Sequence, residues 1–150
     1  MKKTIVFVIA LAMVASMLAF AQKEEKKAEA KVDPAKELAS AIERGRALFN
    51  DPKLGTSGMT CSSCHMAGGT KPGKMGQMTI DPFDALGAKY PAYFMMAKRV
   101  MTLSQVINWC IMNPLKGKPL AWDDQRLADL AAYCASVKPA PEKQEKKEKA

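Results

Sequence analysis

Residues 61–66 read CSSCHM, and this short stretch decides the fold of the 150-residue chain. Two cysteines three positions apart, followed directly by a histidine, form the C-x-x-C-H spacing that attaches a c-type haem. We expect Cys61 and Cys64 to form the two thioether bonds and His65 to bind the iron from one side. His65 is the only histidine, so a second imidazole is excluded on the other side. Because the motif occurs once, we expect one covalently attached haem c.

Four cysteines, at positions 61, 64, 110 and 134, also raise the question of other cysteine chemistry. A zinc ribbon needs a second C-x-x-C pair, which the sequence lacks. A thioredoxin-like motif needs a βαβ setting, and the surrounding sequence has no such pattern. An even number of cysteines permits two disulfides in an oxidising compartment. The histidine directly after the second cysteine favours haem attachment instead.

Apolar residues at helical spacing predict a helix on each side of a long middle segment. The first follows Asp33, a suitable N-cap, has Pro34 at its first position, and ends before Pro52. A second helix is predicted from the N-cap Thr102 to Asn113.

A third helix is predicted near the C-terminus, where Asp123 or Asp124 provides the N-cap and Pro139 follows the last turn. Gly45 would let the first helix cross it closely near Tyr133. The stretch between the motif and the second helix is rich in Gly, Pro and Thr and is too long for an ordinary connection. Wrapping around a haem would account for its length. With no alternating strand pattern, the predicted fold class is all-α.

The N-terminus has the pattern of a secretory signal peptide. A charged start precedes an apolar run from Thr4 to Phe20, and Ala19 and Ala21 form an A-x-A cleavage site. We therefore expect residues 1–21 to be removed and the mature protein to be periplasmic or otherwise exported. No stable membrane span is expected after cleavage, and a retained anchor is the alternative.

Composition divides the remaining chain into one domain and two charged ends. Residues 22–33 and 138–150 are rich in Lys and Glu without apolar periodicity, which predicts a flexible linker and a disordered tail. Residues 34–137 are the length of one small domain wrapped around its haem. The formal net charge is +8, but Glu alternates with the basic residues of an exported chain. We therefore expect redox partner proteins and no nucleic acid.

Longer stretches of the sequence resemble a known family. The stretch at residues 45–65, GRALFNDPKLGTSGMTCSSCH, resembles the N-terminal half of a class I cytochrome c domain. The stretch at residues 127–137, LADLAAYCASV, resembles the last helix of such a domain. Three segments lie between them: KYPAY, TLSQVINWC and PLKGKPL. They resemble the haem domains of thiosulfate dehydrogenases and of SoxA, the sulfur-oxidation cytochrome. In those families a cysteine in the place of Cys110 supplies the second axial ligand. The resemblance implies that role for Cys110.

Helical periodicity gives a separate reading of Cys110. On the second helix it shares a face with Leu103, Val106 and Ile107, so its side chain is expected in the core. A buried free cysteine is usually a small hydrophobic residue. A nearby ferric iron, however, would deprotonate and bind its thiol.

Two alternatives to Cys110 as the second ligand stay open. Methionine is a common ligand opposite histidine, and Met112 is the best placed methionine. Two positions along a helix correspond to a rotation of about 200°, so Cys110 and Met112 cannot both face the haem unless the helix has ended. The other alternative is that no side chain binds there, because Cys110 forms a disulfide with Cys134 or because the site is open. Four further methionines are expected to pack in the protein: Met66, Met95, Met96 and Met101.

Two functions follow from the resemblance: a small electron carrier in sulfur-compound oxidation, and a haem enzyme that oxidises a sulfur oxyanion such as thiosulfate at a Cys-ligated iron. In the resembling families an arginine commonly stands four residues before the ligand cysteine, where this chain has Val106. This departure favours the carrier over the enzyme. Four basic residues are candidates to replace that arginine: Lys98, Arg99, Lys116 and Lys118. The families also use a second haem, which makes a second cytochrome subunit a candidate partner.

Overall fold

The computed structural model describes residues 32–139, and a compact unit begins at Glu37. The predicted signal peptide, most of the predicted linker and most of the C-terminal tail lie outside the described residues. Their assignments therefore stay predictions. Within the described part of the chain, no helix is long and apolar enough to cross a membrane.

Four α-helices occur in the described residues: α1 (Pro34–Phe49), α2 (Leu86–Lys89), α3 (Leu103–Met112) and α4 (Gln125–Ser136). The predictions for α1, α3 and α4 are confirmed to within about two residues at each end. Thr102 caps α3 as expected, because its hydroxyl accepts from the backbone N–H of Gln105, whose side chain accepts from the N–H of Thr102. Asp124 is the residue that caps α4. Short 3₁₀ turns occur at Pro52–Leu54, Cys61–Ser63 and Met66–Gly69.

Two small antiparallel hairpins complete the fold. Strands β1 (Gly73–Met75) and β2 (Met78–Ile80) form the first, and β3 (Ala92–Phe94) and β4 (Arg99–Met101) form the second. The expectation of no strands is therefore wrong in detail, although the domain is mainly helical. Strands of three residues are too short to give a readable alternation of apolar and polar residues.

The predicted close crossing of α1 and α4 is confirmed at Gly45. A Cβ atom on this residue would lie 2.0 Å from the carbonyl oxygen of Asp129 and 2.7 Å from the Cβ of Tyr133. No larger residue fits there without moving one of the two helices. The buried core beside the crossing contains Phe49, Ile111 and Leu130.

An ion pair also joins α1 to α4. Arg44 donates from Nε to Oδ2 of Asp129 at 2.8 Å and from Nη2 to Oδ1 at 3.0 Å. The Asp129 side chain is only 4% exposed, and Gln125 donates a further hydrogen bond to it at 2.9 Å. The hydrogen bonds from Arg44 hold the pKa of the Asp129 carboxyl below its usual range.

Candidate haem site

A cavity of about 340 Å³ lies between α3, α4 and the two hairpins. Most of its wall is apolar, and its volume falls in the range of about 300–1,000 Å³ that is usual for cofactor and small-molecule sites. Its lining includes all four cysteines and the one histidine of the chain: Cys61, Cys64, His65, Cys110 and Cys134. The first three are the motif residues, and α3 and α4 contribute the other two.

Local hydrogen bonds shape the motif. The backbone N–H groups of Cys64 and His65 both donate to the carbonyl of Cys61, at 3.2 Å and 3.0 Å. The chain then turns at Gly68, whose carbonyl accepts from the hydroxyl of Tyr133 on α4 at 3.0 Å. These bonds fix the motif against α4 and present its side chains to the cavity.

The His65 ring is held mainly by aromatic packing. Its centroid lies 4.6 Å from that of Phe83 and 6.2 Å from that of Phe49. Burial lowers the pKa of His65, which favours the neutral imidazole that binds metals. Its Nδ1 atom is buried and has no hydrogen-bond partner in the described structure. Buried polar atoms are rarely left without a hydrogen-bond partner. The unpaired nitrogen therefore indicates that a group absent from the chain itself completes the surroundings of this ring.

The thiols of the cavity influence one another's pKa. Burial, followed by the charges of Cys61 and Cys64, raises the pKa of Cys110 to about 12. Burial also raises the pKa of Cys61 to about 11. Both thiols are therefore protonated at neutral pH in the chain alone. A bound cation is the agent that would convert the Cys110 thiol into a thiolate ligand.

Met112 lies elsewhere. It is 42% exposed and lines a second groove on the other side of α3, where the helical rotation from Cys110 places it. The packing expectation is confirmed for Met101, which is 2% exposed, and is wrong for Met66 and Met95, which are 50% and 79% exposed. Met96 is 39% exposed and lines the cavity.

Three methionines line the cavity wall. Sequence analysis did not single out Met75 and Met78, and it expected Met96 only to pack. Met75 and Met78 reach the cavity from the first hairpin and Met96 from the second. No apolar period marks them in the sequence, because hairpin pairing brings them to the cavity. They place three thioether groups in the same cavity as the Cys110 thiol.

All four cysteines are free, so the alternative disulfide between Cys110 and Cys134 is absent from this structure. Cys134 is 5% exposed and lines the cavity. Burial, followed by the charges of Cys61 and Cys110, raises the pKa of Cys134 above the usual thiol range. It behaves as a protonated, apolar wall residue in the chain alone.

The expected basic residues are not at the cavity. In the described structure, its lining includes none of Lys98, Arg99, Lys116 and Lys118, and its one basic residue is Lys89. Tyr90 follows Lys89 in the lining, and burial and the charge of Cys110 raise its pKa. Val106, at the position of the family's arginine, also lines the cavity. The four candidates therefore do not replace that arginine at the cavity wall, and Lys89 is the lysine that lines it.

Comparison with known families decides the assignment. Residues 44–138, more than half of the chain, match the sequence model of the SoxA/TsdA cytochrome c domain. The chain belongs to this family. The cytochrome c domain therefore accounts for α3, α4, both hairpins and the C-x-x-C-H motif.

The relatives of this cytochrome c domain are named for reactions of sulfur compounds. The thiosulfate dehydrogenase of Allochromatium vinosum is 31% identical over 105 residues, covering 64% of this chain and 37% of the relative. The L-cysteine S-thiosulfotransferase subunit SoxA of Chlorobaculum tepidum is 32% identical over 96 residues, covering 64% and 27%. The thiosulfate dehydrogenase of Stutzerimonas stutzeri is 27% identical over 105 residues, covering 67% and 32%. The matched part is thus between 27% and 37% of each relative's length.

A cytochrome c domain implies haem c, and the cavity residues fit that group. The motif provides two thiols for attachment and a neutral imidazole with an unpartnered buried nitrogen. The surrounding wall is mostly apolar, as the face of a porphyrin requires. Cys110 provides a further thiol, and hairpin methionines provide thioethers.

Proposed function

We propose that this cytochrome c domain is an exported, monohaem electron carrier that acts in the oxidation of sulfur compounds. One observation carries the proposal: Cys61, Cys64, His65 and Cys110 all line a single cavity, whereas Met112 lies outside it. Family membership and the names of the relatives support a role in sulfur-compound oxidation.

The residues have separate roles in this proposal. Cys61 and Cys64 would hold the haem through thioether bonds, and His65 and Cys110 would bind its iron from opposite sides. When bound, the haem supplies a one-electron couple between ferric and ferrous iron. The apolar wall excludes water, and a thiolate from Cys110 would donate negative charge and lower the reduction potential.

Export and partners belong to the same proposal. Residues 1–21 would direct the chain to the periplasm or otherwise out of the cytoplasm and would then be removed. The mature protein would exchange electrons with redox proteins, and a second cytochrome subunit is one candidate. The SoxA relative is itself named as a subunit.

Oxidation of a sulfur oxyanion is the second candidate function. Cys110, Lys89 and Tyr90 share the cavity, so a thiol, a cation and a hydroxyl group surround the same space. A sulfur oxyanion is negatively charged and would be attracted to Lys89. The valine at position 106 lacks the arginine that the resembling families use, which is why the carrier is preferred.

Steady-state kinetics of the purified, haem-loaded protein distinguish the two functions. A carrier accepts one electron per haem and does not turn over thiosulfate by itself. An enzyme oxidises thiosulfate with saturation, and Cys110→Ala abolishes that activity. Cys134→Ala is the matched control, because it removes another thiol from the same cavity wall. Saturable turnover that depends on Cys110 and not on Cys134 would replace the carrier with the enzyme.

A further inference from the structure

A second groove, of about 380 Å³, lies on the other side of α3 from the haem cavity. We call it the α3 groove and define it by five of its lining residues: Arg99, Gln105, Trp109, Met112 and Trp122. Trp122 is 69% exposed and Met112 is 42% exposed. Exposed apolar surface of this kind marks an interaction site more often than scattered single residues do.

The floor of the α3 groove is preformed. Asn108 donates to the carbonyl of Leu120 at 2.9 Å and accepts from its N–H at 2.9 Å. This pair of bonds ties the segment before Trp122 to α3. On the other side, Trp109 packs edge-on against Phe94 of the second hairpin, with ring centroids 5.2 Å apart. A rigid floor lowers the ordering cost of docking a partner.

Trp109 is the link between the two sites. Of the residues in the described structure, it alone lines both the haem cavity and the α3 groove. A partner seated in the groove would therefore be separated from the haem cavity by one aromatic side chain. The short path through protein atoms favours electron transfer across this wall.

Charge selects the kind of partner. Arg99 is the one charged residue in the lining of the α3 groove. It forms no salt bridge with another described residue. Trp, Met and Arg are also the residue types enriched in protein interfaces. An acidic protein with an apolar contact area complements this surface.

We propose that the α3 groove is the docking site for an acidic redox protein, and that electrons pass between partner and haem across Trp109. The proposal rests on the proposed function as an electron carrier. In each encounter one electron would pass from a ferrous haem held in the cavity to the partner's acceptor centre, which is the oxidant and is reduced by that electron. No atom or proton is transferred.

Stopped-flow mixing of the ferrous, haem-loaded protein with oxidised plastocyanin, a small acidic copper protein, tests the site. Arg99→Glu is expected to lower the second-order rate constant by about tenfold or more at low salt, and the difference should shrink as salt screens it. Trp122→Ala should lower it at both low and high salt, because it removes apolar contact. Trp109→Leu should slow the step at saturating plastocyanin.

Lys74→Glu is the matched control, because it makes the same change of charge on an exposed residue of β1 that does not line the α3 groove. Arg99→Lys retains the charge and should restore most of the rate. Visible spectra and the reduction potential should be unchanged in Arg99→Glu and Trp122→Ala, which shows that the haem site is intact.

Several results would overturn the docking site. Equal rates for Arg99→Glu and Lys74→Glu, no effect of Trp122→Ala, or no electron transfer from haem-loaded wild type to plastocyanin would each do so. An unchanged saturating rate in Trp109→Leu would remove the role of Trp109. A wild-type dimer that Trp122→Ala converts to monomer would assign the groove to self-association. Absence of a reducible haem would instead overturn the proposed function itself, so the two failures are distinguishable.

Discussion

Cys110 and Met112 lie two residues apart on α3, yet their side chains meet different surroundings. Cys110 lines the haem cavity beside the motif thiols, and Met112 lines the α3 groove. Helical geometry predicts this separation from the sequence. The cavity methionines and Lys89 could not be predicted in the same way, because their positions depend on how the hairpins and α2 pack. The motif residues carried their own signal in their spacing.

The reduction potential of the haem tests whether Cys110 binds the iron. Cys110→Met should raise the potential, because a thioether donates less negative charge than a thiolate and favours ferrous iron. Potentiometric titration of the haem-loaded variants measures the change, with Cys134→Ala as the control that should stay near wild type. A potential that rises equally in Cys134→Ala would show that the cavity wall, and not ligation, sets the value.

At the scale of elements, N-caps and apolar periodicity were sufficient to predict α1, α3 and α4 from the sequence. The four-residue α2 and the three-residue strands were not predicted, because so few residues cannot show a period. The contact between α1 and α4 was also readable, since a glycine on an otherwise amphipathic helix indicates close approach. The Arg44–Asp129 ion pair was not, because the two residues are 85 positions apart.

Gly45→Ala tests the helix crossing. At an unconstrained helix position this change stabilises by roughly 0.5–1 kcal/mol. Here the new Cβ would meet the Asp129 carbonyl, so we expect destabilisation by about 1–3 kcal/mol instead. Chemical denaturation of the haem-loaded protein measures it, and Ser40→Ala on the exposed part of α1 is the control. A stabilised Gly45→Ala protein would contradict the crossing.

The Arg44–Asp129 pair predicts a pH dependence. Because Arg44 lowers the folded-state pKa of Asp129, the stabilisation is complete above the usual aspartate pKa of about 3.9. It is lost as the pH falls through the lower folded-state value. Asp129→Asn should cost about 1–3 kcal/mol at neutral pH and progressively less in acid. A difference between wild type and variant that stays constant down to pH 2 would rule out this ionic contribution.

The described part of the molecule, residues 32–139, is a mainly helical domain built around an apolar cavity, so the haem should be part of its core. The described residues from Glu37 onward form one compact unit, and the motif, α3 and α4 all face the same space. Sequence composition predicts one small domain over residues 34–137, and the charged ends stay predictions because most of each lies outside the described residues. Composition could not predict the α3 groove, because that surface joins residues from a strand, a helix and a loop.

Covalent attachment can be tested on the whole protein by mass spectrometry. Expression with the haem-attachment machinery should give a mature mass larger than the polypeptide by one haem, and acid–acetone extraction should leave the colour with the protein. Replacing Cys61 and Cys64 together by Ala should abolish the retained colour and lower the thermal midpoint, because the cavity loses its fixed occupant. Retained haem in that double variant would show that attachment does not use the motif.

Ultraviolet–visible and EPR spectra of the purified ferric protein test the central claim, that His65 and Cys110 bind the iron from opposite sides, most directly. Wild type should show a low-spin, thiolate-ligated iron. Met112→Ala should retain that spectrum, and so should single alanine substitutions of Met75, Met78 and Met96. Cys110→Ala should lose it and give a vacant or water-filled site. A low-spin spectrum that survives in Cys110→Ala and disappears in one of the methionine variants would contradict the claim.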